Sequence, residues 1–265
     1  MARTIGIVSL KGGVGKTSSV SALGAALADF GKRTLLVDAN FSAPNLGIHF
    51  NIINPTTTLH DVLAREANIS DATYVVDDKF HVIPAGIFNN KQINPFKLKD
   101  KLKNVQDRYD IILIDSSPAL NYETLAAMLA SDELFVVTTP DYATMAMTLK
   151  AIRLAKQKRI PVSGLILNKV YNKDFEIPLK DIEETAGVPI LAVIPYDINV
   201  LRAQSIFTPS TMHNPHSPGS VEYKKLAAIL IGEKYRPFNL KELFSRITPS
   251  RQEINRQMYY QGVFE

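Results

Sequence analysis

The sequence predicts an α/β protein with a mostly parallel central sheet and helices on both faces. Three observations carry that prediction. Short apolar runs recur along the chain (Ile5-Gly6-Ile7-Val8, Leu35-Leu36-Val37, residues 111–114 and 134–137, Leu165-Ile166-Leu167), as strands buried on both faces require. Stretches of helical period separate them, the first marked by Val20, Leu23, Leu27 and Phe30, so strand and helix alternate. Several runs then stop on a polar residue (Asp38, Asp115, Asn168), at the carboxyl ends where open α/β sheets place their ligand sites. A length of 265 residues suits one sizeable domain, and contents of 46% apolar and 21% charged are ordinary for a globular protein.

The first strand runs into Lys11-Gly12-Gly13-Val14-Gly15-Lys16-Thr17-Ser18, and a helix begins near Lys16. Strand, glycine-rich loop and helix in that order form the context of a phosphate site. Gly12, Gly13 and Gly15 carry no side chain, so the loop can curl and turn successive N–H groups, Val14 and Ser18 included, toward one anion. The helix adds its positive N-terminal end. Lys16 can reach the β- and γ-phosphates, and the Thr17 hydroxyl can ligate Mg²⁺.

Leu10 stands where the general G-x-x-x-x-G-K-[ST] pattern has its first glycine, and Lys11 follows directly. That form, K-G-G-x-G-K-T, resembles the deviant Walker A of the MinD/ParA family of P-loop ATPases and is nearest in pattern to MinD. The resemblance runs from about Arg3 to about Ile231. It implies ATP or ADP with Mg²⁺ as ligands, a homodimer with nucleotide sandwiched between subunits, and a Lys11 that reaches the partner's nucleotide.

Taken in order, residues 33–38 read as a buried strand ending in Asp38, which falls where phosphates and Mg²⁺ belong. The loop from Ala39 to Gly47 resembles the family's switch I. Most relatives carry a second acid two residues after the first, to orient the attacking water; here that position is Asn40. Between 50 and 107 the signals are a short helix around Thr58-Leu59-His60-Asp61-Val62-Leu63 and a strand around Phe80-His81-Val82-Ile83. A basic run spans 91–108. His49, His60 and His81 are isolated, without metal-ligand spacing, and read as structural or exposed.

Ile111-Ile112-Leu113-Ile114-Asp115 reads as a Walker B strand, with the Asp115 carboxylate holding Mg²⁺. Ser116-Ser117-Pro118-Ala119-Leu120 resembles switch II. A strand at 134–139 leads into a basic helix at about 142–159 (Lys150, Arg153, Lys156, Lys158, Arg159). By resemblance Asn168 reads adenine, since an amide both donates and accepts, and Ile194-Pro195-Tyr196-Asp197 closes over the ring, with Pro195 and Asp197 as contacts. Residues 207–220 read as a loop, and Ser217-Pro218 opens a further helix. The candidate catalytic set is therefore Lys11, Lys16, Asn40 and Asp115, and the candidate Mg²⁺ set is Thr17, Asp38 and Asp115.

The ATPase domain is expected to span 1–232, with a tail over 233–265 that carries a short amphipathic helix at 238–247. Asn239 with Glu242 makes a variant capping box, and Phe238 with Leu243 its hydrophobic staple. Leu240, Leu243, Phe244 and Ile247 form one stripe. Two turns are marginal alone, so a membrane, the domain itself or a partner subunit must cover them.

The chain has no cysteine. This removes disulfides and thiolate ligands, and with them the iron–sulfur clusters that some relatives of this P-loop class hold. No apolar run approaches ~18 residues, and no signal-peptide pattern opens the chain. The expected location is the cytoplasm, with peripheral attachment to the inner face of the membrane left open. The function the resemblance implies is an ATP-dependent dimerising switch that positions itself or a cargo. Slow hydrolysis is expected because of Asn40, together with a protein partner or activator. Two alternatives stand beside it: a DNA-partition ATPase using Arg202, Lys224, Lys225 and the basic helix, and a nucleotide-locked scaffold with little turnover.

Overall fold

The apolar runs become strands of a single eight-stranded sheet. The computed structural model describes residues 1–87, 91–235 and 250–264. The strands are β1 Arg3–Val8, β2 Thr34–Ala39, β3 Tyr74–Asp77, β4 Phe80–Ile83, β5 Ile111–Ser116, β6 Glu133–Thr138, β7 Val162–Val170 and β8 Ile190–Pro195. Their order is β3-β4-β2-β5-β1-β6-β7-β8, parallel throughout except for the β3–β4 pair. The helices are α1 Lys16–Asp29, α2 Leu59–Leu63, α3 Leu98–Leu102, α4 Tyr122–Ala130, α5 Tyr142–Gln157, α6 Leu179–Ala186, α7 Ile198–Ser205, α8 Ser210–His213, α9 Pro218–Leu230 and α10 Arg251–Phe264.

Side chains that alternate along each strand feed two buried faces. Leu36 joins Ile5, Ile7 and Leu113 beneath Leu23 and Leu27 of α1 and Leu226 and Leu230 of α9. Its neighbours Leu35 and Val37 turn the other way, to Ile112, Ile114, Val62 and Leu98. Leu134, Val136, Ile152 and Ile182 continue that second face beneath α5 and α6. Helices thus cover both faces, as the sequence predicts. Strand order reverses about β1, with β5 and β2 on one side and β6 on the other, so the loop after β1 opens at the switch point of the sheet.

Two regions differ from expectation. The stretch 207–220 is not all loop: it contains α8, with Pro209 at its N-cap, and Thr211 Oγ1 donates to Ala22 O of α1 at 2.9 Å. Beyond Ser250 the chain forms α10, which lies against β8 and α9. Arg256 is 5% exposed; its Nε donates to Leu191 O at 2.7 Å and its guanidinium pairs with Glu222. Asn255 Nδ2 donates to Ile190 O at 3.0 Å, and the Tyr259 ring packs by Phe135. The predicted helix 238–247 lies outside the described residues. Both its flanks are held on the domain, Tyr235 against Phe30 and Arg251 by Glu183. Among the described residues no helix is long and apolar enough to cross a membrane.

Candidate functional site

The loop between β1 and α1 takes a shape only glycine tolerates at two points. Gly13 has φ 78° and Gly15 φ 90°, in the left-handed region that penalises a side chain. A Cβ on Gly15 would also stand 2.2 Å from Asn168 Nδ2. Gly15 is the N-cap of α1 and no side chain caps that helix, so its first-turn N–H groups are left for a ligand. Gly12 has open space where a Cβ would point.

Register brings the acids together. Asp38 and Asp115 end adjacent parallel strands as direct partners, and both are fully buried. Lys16 Nζ lies 3.3 Å from Asp115 Oδ1, an ion pair without hydrogen-bond alignment. Thr17 Oγ1 stands 2.6 Å from Asp115 Oδ2 and 2.9 Å from Asn45 Oδ1, so its one proton serves one acceptor at a time. Burial, and then the Asp115 charge, push the Asp38 carboxyl up to about 7, against the pull of N–H groups from Leu46, Asn40 and Asn45. Two crowded carboxylates beside a hydroxyl suit a hard divalent cation. Among the described residues no group of three or more His, Cys, Asp or Glu forms a metal site by itself. A cation here would need further oxygens beyond the carboxylates, and phosphate and water are those that Mg²⁺ commonly uses.

Asp38 also shapes the loop that follows it. Its Oδ1 accepts from Asn40 N at 3.1 Å, and its Oδ2 from Asn45 N at 3.1 Å and Leu46 N at 3.0 Å. Asn40 is 3% exposed. Its Nδ2 donates to Ala43 O, which fixes which end of the amide is nitrogen, and its Oδ1 is buried with no partner. Ser42 Oγ donates to Glu123 of α4, tying this loop to the helix after Ser116-Ser117-Pro118.

Across the cavity, Asn168 Nδ2 donates to Val14 O at 2.8 Å. Pro195, Tyr196 and Asp197 line the same cavity. Both Asp197 oxygens are engaged, Oδ1 by Asn199 N at 2.9 Å and Asn199 Nδ2 at 2.8 Å, Oδ2 by Gly219 N at 3.2 Å. Burial raises this carboxyl, but hydrogen bonds from Ser217, Asn199 and Gly219 outweigh it and hold it below the usual range. Asp197 therefore braces the wall rather than offering an open acceptor. Lys11 sits at the rim: its Nζ donates to Thr144 Oγ1 at 2.7 Å and Asp141 Oδ1 at 3.2 Å.

The cavity so formed has a volume of about 310 Å³, bounded by residues 11–18, Asn40, Asn45, Asn168, Pro195 and Asp197. Residues 2–162 match a family model described as an AAA domain. An uncharacterised ATP-binding protein of Methanocaldococcus jannaschii is 38% identical over 237 residues, covering 89% of this chain and 90% of that protein. The chromosome partitioning protein ParA of Caulobacter vibrioides is 30% identical over 253 residues, covering 88% and 95%. The septum site-determining protein MinD of Pyrococcus horikoshii, solved complexed with Mg-ADP, superposes with TM-score 0.82 at 32% identity, covering 87% of this chain and 96% of that one. The chain belongs to the MinD/ParA family of P-loop ATPases.

Within that family frame, Asp115 meets Lys16 and Thr17 with Asp38 as its partner on the next strand, while Lys11 meets Asp141 and Thr144 at the rim. Sequence reasoning set His49 aside, but it lines the cavity; burial lowers its pKa while the Asp115 charge pulls it up. Asn45, Gln204 and Tyr223 also line the cavity. Tyr223 OH and Ser19 Oγ are 2.8 Å apart beneath the loop, and Gln204 Nε2 donates to Ser18 Oγ. Of these, Asn45 carried a signal, its place in the loop after Asp38, whereas His49 lies just past that loop in the turn Gly47–Phe50. The other two arrive through long-range packing of α7 and α9.

Proposed function

We propose that this protein binds ATP with Mg²⁺ and switches between monomer and homodimer according to the nucleotide, with slow hydrolysis. Lys16 and the α1 N-terminus would hold the phosphates, and Asn168 the base. Thr17, Asp38 and Asp115 would hold Mg²⁺, whose contribution when bound is to neutralise phosphate charge. The P. horikoshii relative solved with Mg-ADP supports this ligand choice.

The observation that carries the dimer reading is the position of Lys11. Lys16 serves the interior alone, while Lys11 is a 40%-exposed cation at the rim, on a loop with open space around Gly12. A second copy's nucleotide could meet it there. Asn40 supports slow turnover. Its unpaired Oδ1 can accept a hydrogen bond from a water, but an uncharged amide is a far weaker proton acceptor than a carboxylate, and general-base help is worth ~10²–10⁴-fold.

In the DNA-partition reading, Lys224 is buried against Asp29 at 2.8 Å and Lys225 is paired with Glu222. That leaves exposed Arg202 and the cations Lys150, Arg153, Lys156, Lys158 and Arg159 in and just beyond α5 as its support. Binding through them would fall steeply with salt, whereas membrane docking through 238–247 would not.

Light scattering with ADP and with ATP tests the switch. The expected result is a dimer with ATP only, lost in Lys11→Ala while that variant still binds ATP. A dimer fraction in Lys11→Ala equal to wild type would overturn the cross-subunit role.

A further inference from the structure

We propose that Lys169 is a positioning residue of the phosphate loop, fixing its amides toward the anion before nucleotide arrives; this rests on the ATP-site reading above. At the ligand end of β7 the pairing with β8 loses register between Leu167 and Val170. Within that irregularity Lys169 adopts φ 57°, a left-handed conformation that strains a residue with a side chain. Bulges of this kind re-aim side chains next to sites. The result is that Lys169 Nζ donates to Gly13 O at 2.7 Å, while its neighbour Asn168 donates to Val14 O at 2.8 Å.

Two adjacent side chains thus hold two adjacent carbonyls of the glycine-rich loop. In a planar trans peptide the C=O and the following N–H point in opposite directions. Anchoring Gly13 C=O therefore turns the Val14 N–H away from Lys169, and anchoring Val14 C=O does the same for the Gly15 N–H. Gly12, Gly13 and Gly15 have no side chains with which to lock those peptides themselves. The lock comes from β7, and a preset row of N–H groups binds an anion without reorganising. Among the described residues the Lys169 ammonium has no carboxylate partner, and it lines the cavity, so its charge adds to the field that draws the anion in.

The test is calorimetric titration with Mg²⁺-ATP and with Mg²⁺-tripolyphosphate, a probe that has phosphates but no base. Lys169→Met, which keeps the stem and loses the donor, is expected to weaken both ligands about tenfold, the scale of one lost charge-assisted hydrogen bond. Its ligand-free melting temperature should stay near wild type, and Lys169→Arg should restore most of the affinity. Lys169→Met binding tripolyphosphate as tightly as wild type would overturn the proposal. So would a loss confined to ATP, which would put Lys169 at the base. Wild-type protein that binds neither ligand would contradict the ATP-site reading itself, and this proposal with it; the wild-type titration tells the two failures apart.

Discussion

Arg256 and Lys16 are both buried cations, 5% and 7% exposed, at opposite ends of one sheet. Arg256 sits at the amino ends of the strands, where its guanidinium reaches Leu191 O and Glu222. Its surroundings are closed in the same manner: Asn255 meets Glu183 and Ile190 O, and Tyr259 meets Arg3 and Glu133. Lys16 sits at the carboxyl ends and, among the described residues, meets Asp115 Oδ1 alone, at 3.3 Å and unaligned. Around it Asp115 Oδ1 and Asn40 Oδ1 are buried without a hydrogen bond, and the Asp38 carboxyl is pushed up to about 7 by burial and by Asp115. Buried polar groups are ordinarily satisfied, and exceptions require an explanation. The difference between the two ends supplies one. The lower end is not free of exceptions, since Thr4 Oγ1 and Glu133 Oε1 also lack a hydrogen bond, but Arg3 Nε pairs closely with Glu133 there, so cation and acid meet within the chain. In the proposed reading the looser upper end awaits an anion and a cation.

Substitutions at the two ends should separate cleanly, and the largest effect is expected at Lys16. Lys16→Ala removes the fixed charge nearest the phosphates and should weaken ATP binding by roughly 10³-fold or more. Calorimetry that finds wild-type affinity would remove the site from this loop. Next comes Arg256→Ala, which strips Leu191 O of its buried side-chain donor and leaves Glu222 to Lys225. The expected loss is about 3 kcal/mol of stability, read by denaturant unfolding, with ATP affinity unchanged within about twofold. A tenfold loss of ATP affinity in that variant would mean the two ends are coupled.

Asn40→Asp should act most mildly on binding and most visibly on rate. A carboxylate would restore a charged acceptor, but it would also set an oxygen against Ala43 O, where the amide now donates. Single-turnover hydrolysis should therefore rise by about tenfold, below the full range for general-base help, with a small drop in melting temperature. Equal single-turnover rates would place Asn40 outside the reach of the attacking water.

What the sequence made legible was local. Apolar runs such as residues 111–114 and 134–137, and helical periods such as Val20, Leu23 and Leu27, follow from burial and need no partner to be read. The loop from Lys11 to Ser18 is equally local, since glycines, lysine and threonine act through one turn of backbone. Tyr223 and Gln204 were not legible, because α9 and α7 carry them to the cavity from far along the chain. The α10 helix was not legible for a different reason. Its sequence, with Arg251, Glu253, Asn255 and Arg256, reads as solvated surface, yet its one buried residue is the arginine. Periodicity sees apolar faces and is blind to a helix docked by hydrogen bonds. Asp197 illustrates the converse limit: its place at the cavity was foreseen, but its engagement by Asn199 and Gly219 depends on a fold-level contact.

The central claim is that the upper end of the sheet is an incomplete charge network that ATP and Mg²⁺ complete together. Titrating the ligand-free protein with ATP, once with Mg²⁺ and once with EDTA, tests it directly. Binding with Mg²⁺ should be at least tenfold tighter than without it above pH 7, where Asp38 as well as Asp115 is ionised and repels phosphate until a cation lies between them. Equal affinity in the two titrations, or no binding in either, would contradict the account.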